Sequence, residues 1–479
     1  MLTLLTIFFL QFTDKASSEC VCLSPAAIEM RAERGIAIDS LDYAVSPVYL
    51  DSVRRMGGQV LHTSRWMNGA TIAASTEAIH AIEKCTFVDT VYLTRTEDDS
   101  FGISSISLRK RAATTEKDLD ALDSNGQLNQ LNLLPLHQAG YKGQGIRIGI
   151  ADGGFYNADS LESLPKDQWL GYADFTDDED DFFGTTGNHG TLCLSAIVGQ
   201  KTPANTNTPI INLPAYRGTA TAAEYFLFRT EEHATESPKE IDNWVAAIEM
   251  ADSLGLHIIS TSLGYTTFDN DQFDFTYADM DGRTSRGAQA AAIAARKGML
   301  LVAAAGNDGN KEWHYLSTPA DADSILTVGA VNVDGVIANF SSYGPSADGR
   351  VKPEVCAAGQ QTVLINPANN QIITSNGTSF ACPLIAGMAA CLWSALPHAT
   401  NMEIRERIIQ SANRYPEAHE QYGYGIPDAW LAYTQTTGFT PPLHDGQNAQ
   451  KVLINGTLWI MHEGILYNII GGKSRSQKC

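Results

Sequence analysis

Four side chains stand where an acyl transfer would need them. Ser379 lies in the run SNGTSFACPLIAGMAACLW (375–393), whose polar hexapeptide SNGTSF passes into residues that repeat with helical spacing: Phe380, Ala381, Leu384, Ile385, Met388, Ala389 and Leu392. A serine at such a helix start lies among backbone N–H groups without intrahelical partners. Its own N–H can then face the oxyanion that its attack creates. Pro383 is read as part of the tolerant first turn. His189, in NHGT (188–191), precedes the apolar run LCLSAIVG; Asp152 ends IRIGIAD before Gly153-Gly154; Asn307 follows MLLVAAAG. Together they supply a nucleophile, a general base, a carboxylate to fix the imidazole tautomer and an amide to bind an oxyanion. Each has a plainer reading taken alone, as a cap, a structural histidine or an Asn-Asp-Gly turn. Only the set points to acyl transfer. An esterase of α/β-hydrolase type would carry GxSxG around its serine, and NGTSF does not.

The elements that must position them read as α/β. Strand-like runs at 146–152, 257–263, 299–306 and 325–331 are separated by helical stretches, among them Lys239 to Leu254 with Ile241, Trp244, Val245 and Ile248 on one face. Buried continuous strands alternating with helices predict a three-layer, mostly parallel sheet covered on both faces. In such a sheet ligands gather at the carboxyl ends of the strands, where Asp152 and Asn307 fall. Residues 24–94 read separately: a strand at IAIDSLDYA, a helix at SPVYLDSVRRMG capped by Ser46 and Pro47, strands GQVLHTS and GATIAAS, a helix TEAIHAIEKC and a strand FVDTVYLT. This is a small α+β domain of βαββαβ order.

Composition limits the partners. The 479 residues allow two or three domains, and 44% hydrophobic with 18% charged content supports a large core. A net charge of −21 argues against nucleic acid as a partner. The apolar run from Leu2 to about Phe12, followed by Ala16-Ser17-Ser18, reads as a secretory signal too short to span a bilayer. No basic residue precedes that run, which suggests a start further upstream. Eight cysteines without a CxxC pair predict neither a zinc site nor a disulfide scaffold, and Cys193, Cys382 and Cys391 read as small core residues. The boundaries are then 1–18 signal, 19–94 small domain, 95–128 a linker with the basic run Leu108-Arg109-Lys110-Arg111, 129–433 the α/β domain, and 434–479 a Thr/Pro-rich link and tail.

The blocks IGIADGGF, NHGTLCLSAIVG, STSLGY, VAAAGNDGN, FSSYG and SNGTSFACPLIAG, in that order, resemble those of the subtilisin-like serine proteases, the subtilases. The resemblance spans roughly 129–433. It implies a serine endopeptidase with Asp152, His189 and Ser379 as triad, Asn307 as oxyanion donor, and Ser262, Leu263, Gly264, Ala304, Ala305 and Gly306 edging a cleft for an extended peptide. It also implies that the small domain is a prodomain, assisting folding and blocking the cleft until cut within 95–128. The partners are then a peptide or protein substrate and the chain's own N-terminal domain, without organic cofactor or stable membrane span. A catalytically inactive subtilase fold that binds peptides is the alternative, and the presence of all four side chains counts against it.

The sequence departs from the family at Gly153, where Ser or Thr is more frequent after the aspartate, and at Tyr265, where a glycine is frequent and a bulkier cleft rim follows. The acidic runs Asp177-Asp178-Glu179-Asp180-Asp181 and Asp279-Met280-Asp281-Gly282 would suit calcium by composition, without the spacing of a defined loop. The tail, with apolar pieces VLINGTLWI and ILYNII that suit a hairpin, resembles C-terminal sorting segments of proteins exported through type IX secretion. That places the protein outside the cell, at its surface or in the periplasm of a Gram-negative bacterium.

Overall fold

The computed structural model describes residues 6–14, 20–96, 124–176, 180–185, 187–201 and 216–435, and the backbone of the tail strands at 450–454, 457–462 and 465–468. Seven parallel strands form the central sheet. Their order is Val355–Ala358, Leu326–Val331, Leu300–Ala304, Ile258–Thr261, Arg147–Asp152, Glu224–Arg229 and Trp169–Asp174. Strand alternation decides which side each residue serves. Ile148, Ile150, Leu227, Leu300 and Val302 meet the helices His189–Val198 and Thr378–Ala395 on one face. Ala151, Phe226, Phe228, Leu301 and Ala303 meet Lys239–Leu254 and Arg286–Arg296 on the other. The expected α/β architecture is therefore present. The strands Glu224–Arg229, Trp169–Asp174 and Val355–Ala358 add to the four legible in the sequence. Thr378–Ala395 is long and apolar enough to cross a bilayer, but 89% of it is buried inside the protein.

The small N-terminal domain differs from expectation at its first strand. IAIDSLDYA is not a strand: its Ser40–Asp42 form a 3₁₀ turn, capped by Asp39. The first strand is Thr6–Phe12, the stretch expected to be a leader. It lies inside the four-stranded antiparallel sheet, between Gly69–Ala74 and Val88–Arg95, with Leu10 opposite both Ala70 and Val91. Leu10 and Phe12 enter the domain's own core while Phe9 reaches the core of the catalytic unit. A short aromatic and β-branched run has the same composition whether it is a leader or a buried strand, so composition alone cannot separate them. The expected leader cleavage site, Ala16-Ser17-Ser18, lies outside the described residues. The βαββαβ order holds with this strand in first place, and the helix Pro25–Glu33 is additional.

The tail is a unit of its own, residues 436–479. Its described residues form three antiparallel strands, Gln450–Ile454, Thr457–His462 and Ile465–Asn468, so the piece VLINGTLWI contributes to two of them.

Among the described residues of the catalytic unit, His137 is buried and His257 is half-buried. His137 directs Nε2 to the carbonyl of Thr219 at 2.9 Å while its Nδ1 has no partner, and burial pushes its pKa down to about 4. Burial, with Arg34 and Arg147 nearby, pushes His257 down to about 3. Both are neutral in the fold, whereas the unfolded chain takes up their protons below about pH 6.5. Stability is therefore retained above that pH and falls as the pH drops toward 4. The expected loss between pH 7 and pH 5 is about 2 kcal/mol for each histidine. Urea unfolding of Ser379→Ala protein at the two pH values measures it, and His137→Gln should lose less than its parent.

Candidate active site

The helix Thr378–Ala395 starts where the sequence places it, but Pro383 does not lie in its first turn. It is the sixth helical residue, so its missing N–H would have bonded the carbonyl four residues back, that of Ser379. Side chains from other elements take over this carbonyl. Ser262 Oγ donates to it at 2.7 Å and Cys193 Sγ at 3.3 Å. Ser262 directly follows the strand Ile258–Thr261, and Cys193 lies one turn after His189. The proline therefore ties the Ser379 turn to two neighbouring elements. Gly377, with φ at +155°, supplies the turn into the helix.

Asp152 ends its strand fully buried. His189 Nδ1 lies 2.8 and 3.0 Å from its two carboxylate oxygens, and the Gly153 N–H donates to Oδ1 at 2.8 Å. At the position after the aspartate, a backbone donor holds the carboxylate without help from a hydroxyl. The His189 ring lies 5.5 Å from that of Phe380, next to Ser379, and Cys193 Sγ is 3.9 Å from His189 Nδ1. The His189 ring thus borders Phe380, the residue after Ser379, and Cys193, whose Sγ reaches the Ser379 carbonyl; the His189 side chain is partly open to solvent and Ser379 is mostly covered. The Ser379 hydroxyl rests 3.4 Å from the carbonyl of Ser262.

Asn307 is exposed, and its Oδ1 accepts from Thr378 N at 2.9 Å and from Thr378 Oγ1 at 3.1 Å. With the oxygen held by the residue before Ser379, the Nδ2 group points the other way. Leu263 and Gly264 are accessible. Ala304 and Ala305 are buried. Ala305 spends its N–H on Val328 O, and Gly306 O accepts from Ser342 N and Thr378 Oγ1. That side of the cleft is therefore a wall rather than an open strand edge. Tyr265 does not bulk the rim: it is fully buried, and its hydroxyl donates to Glu231 at 2.7 Å. Along 262–265 Ser262 and Tyr265 are buried, Leu263 is half-buried and Gly264 is exposed.

The described acids of the two acidic segments have partners within the chain. Asp177, Asp178 and Glu179 lie outside the described residues. Asp180 pairs with Arg229 at 2.8 Å, Asp181 accepts the Phe183 N–H, Asp279 closes a turn with Thr276, and Asp281 accepts from Arg283 and Thr284. Glu231, Glu236 and Glu240 come within 4.8 Å of one another, a grouping the sequence reading missed. The density of acids between 231 and 240 was its only trace. Glu231 follows Thr230, whose N–H donates to Asp152 O at 3.2 Å. Burial and the neighbouring glutamates push the Glu240 carboxyl well above the usual carboxylate range. Cys193 and Cys382 are buried, and burial raises both thiols, Cys382 to about 12.

Residues 143–425 match the subtilase family, Peptidase S8, and residues 7–109 match the Peptidase S8 propeptide domain of Bacteroidota. The chain belongs to the subtilase family. Among its relatives, the thermostable alkaline protease of Halalkalibacterium halodurans is 29% identical over 63% of this chain and 71% of its own. Subtilisin DY of Bacillus licheniformis is 29% identical over 60% of this chain and 90% of its own. The solved structure of MycP1 from Mycobacterium smegmatis shares the fold, with a TM-score of 0.54 at 20% identity over 71% of this chain and 93% of that one. This subtilase is a serine endopeptidase made as a zymogen, with its N-terminal domain as an internal inhibitor. The propeptide match starts within the strand Thr6–Phe12 and so agrees with its place in the small sheet.

Replacing Ser262 by alanine should leave the Ser379 carbonyl with only the weak thiol donor. The expected cost is about 1–2 kcal/mol in urea unfolding, the penalty for a buried acceptor that loses its main partner. Cys193→Ala should cost less.

Proposed function

We propose that Ser379 attacks the scissile peptide carbonyl, with His189 taking its proton at Nε2. The carboxylate of Asp152 fixes the Nδ1–H tautomer and stabilises the imidazolium that forms. The observation that carries this reading is the paired contact of His189 Nδ1 with a fully buried Asp152 beside the turn that presents Ser379. His189 then returns the proton to the leaving amine, and a water repeats the attack on the acyl-enzyme. Asn307 Nδ2 and the Ser379 N–H donate to the tetrahedral oxyanion, and the two tethers from Thr378 orient the amide before the charge develops. The substrate lies extended along Leu263 and Gly264, where an added strand can pair with accessible main chain.

The inhibitor seat is supported by packing. Phe9, Trp66 and Met67 of the N-terminal domain join the core against the helix Lys239–Leu254. Glu249 of that helix accepts from Ser64 Oγ and from the backbone N–H groups of Arg65 and Trp66. The domain's last strand ends at Arg95, which reaches Glu232 at 3.7 Å beside the cleft. The residues that continue toward the catalytic unit are those expected to be cut. We infer further that the enzyme acts outside the cytoplasm of a Gram-negative cell. The resemblance of the tail to type IX sorting segments and the match to a Bacteroidota propeptide support this.

Intact mass is the direct test. Wild-type chain should lose an N-terminal segment ending within 95–128, and Ser379→Ala chain should not. If both keep the same mass, or both lose it, self-processing through Ser379 is refuted. On a peptide substrate, Ser379→Ala or His189→Ala should lower kcat on the order of 10⁶-fold, as loss of the nucleophile or base does in subtilisin. Asn307→Ala should lower it about 10²–10³-fold with little change in KM. Removal of 436–479 should leave these rates unchanged and keep the protein from reaching the medium of a type IX-competent host.

A further inference from the structure

The N-terminal domain holds the catalytic unit at a second place, far from the cleft. Between its first strand and the helix Pro47–Arg55 runs segment 20–44, which lies outside the four-stranded sheet and carries the additional helix Pro25–Glu33. This segment does not face the carboxyl ends of the central strands. It grips the opposite edge, at the residues just before the strands Ile258–Thr261 and Leu300–Ala304. Ser24 N donates to Ser253 O at 2.8 Å, and Arg34 donates to Gly298 O at 2.8 Å. A side chain at Gly255 would press on Ala27, and one at Gly298 would press on Ile36. Both glycines have positive φ, so the catalytic unit's backbone is bare where the segment lies closest. The Arg34 guanidinium also stacks 4.6 Å over the ring of Trp393.

Charge fixes the register of this contact. Arg31 bridges Asp42 of its own segment at 2.5 Å and Asp252 of the catalytic unit at 2.6 Å, all three nearly or fully buried. Lys297 of the catalytic unit reaches back to Asp42 at 2.9 Å and to Asp39 at 2.8 Å. Arg65 completes the lattice on Asp252 at 2.7 Å and ties it to the segment through Leu41 O. Withdrawing the segment would leave Lys297 without its acidic partners and Asp252 with Arg65 alone, so the Arg31 and Lys297 pairs are lost together rather than one at a time. The lattice lies at the amino ends of strands that end at the cleft, roughly 15 Å away by strand rise. Cutting the chain beyond Arg95 breaks none of these contacts.

We propose that segment 20–44 is a holdfast, a second binding surface that retains the cleaved N-terminal domain on the catalytic unit independently of the cleft. Its partner surface comprises Asp252, Ser253, Gly255, Lys297, Gly298 and Trp393. The proposal rests on the zymogen reading, in which the chain is cut within 95–128. Its test does not use the enzyme's own activity. Full-length Ser379→Ala chain is nicked with a trace of trypsin at the Arg109-Lys110-Arg111 run and passed over a size-exclusion column. The two fragments should elute together. Arg34→Ala in the same background strands no buried charge, and its N-terminal fragment should dissociate at least tenfold faster, measured by native mass spectrometry after dilution. Asp252→Asn should accelerate release at least as much, and if that chain misfolds, Arg34→Ala still decides. Parent fragments that separate on the column, or an Arg34→Ala fragment that leaves at the parent's rate, would overturn the holdfast. A failed protease reading shows elsewhere, as equal intact masses of wild type and Ser379→Ala.

Discussion

The carbonyl of Ser379 cannot be satisfied by its own helix, because the residue that should donate to it is Pro383. A buried carbonyl without a partner is costly, so the fold brings Ser262 Oγ and Cys193 Sγ to it. Each donor belongs to a different element. One follows a central strand, and the other lies on the helix that begins with His189. A single backbone atom thus joins the serine turn, the histidine helix and the cleft edge. The apolar helix behind it is buried along nearly its whole length, and that burial keeps the turn in place.

The remaining site geometry follows from the ends of the parallel strands. Asp152 sits at the last position of its strand, where the chain leaves the sheet and a carboxylate can turn toward His189 while staying buried. Asn307 follows the strand Leu300–Ala304, and Thr378 fixes its amide from the start of the helix Thr378–Ala395. In the oxyanion role proposed for Asn307, an amide held in advance needs little rearrangement when charge develops on a substrate oxygen. The departures at Gly153 and Tyr265 leave this geometry in place. The first donates through its backbone, and the second turns its ring inward to Glu231.

The N-terminal domain is attached by two kinds of contact. One is the apolar packing of Phe9, Trp66 and Met67 with the Glu249 hydrogen bonds, on the helix whose start lies near the cleft. The other is a lattice of buried charges at the far edge of the sheet. Buried ion pairs contribute little net stability but tolerate few alternatives, since a displaced partner leaves an uncompensated charge. They fix where this domain sits more than how tightly the fold holds.

The order of strands and helices in the catalytic unit was legible because buried parallel strands are continuous apolar runs and the helix Lys239–Leu254 carries its apolar face at regular spacing. The four chemical side chains were legible because each stands beside such an element, at a strand end or a helix start. Thr6–Phe12 was misread because an apolar run of that length has no periodicity to separate a leader from a buried strand; only its two sheet neighbours do so. The role of Pro383, the burial of Tyr265 and the meeting of Arg31 with Asp252, 221 residues apart, depend on which elements pack together. By itself the sequence determined the elements and the chemical groups at their ends. Tertiary structure alone decided which buried polar atoms would share partners, because hydrogen bonds and ion pairs between distant segments are set by packing and leave no local pattern.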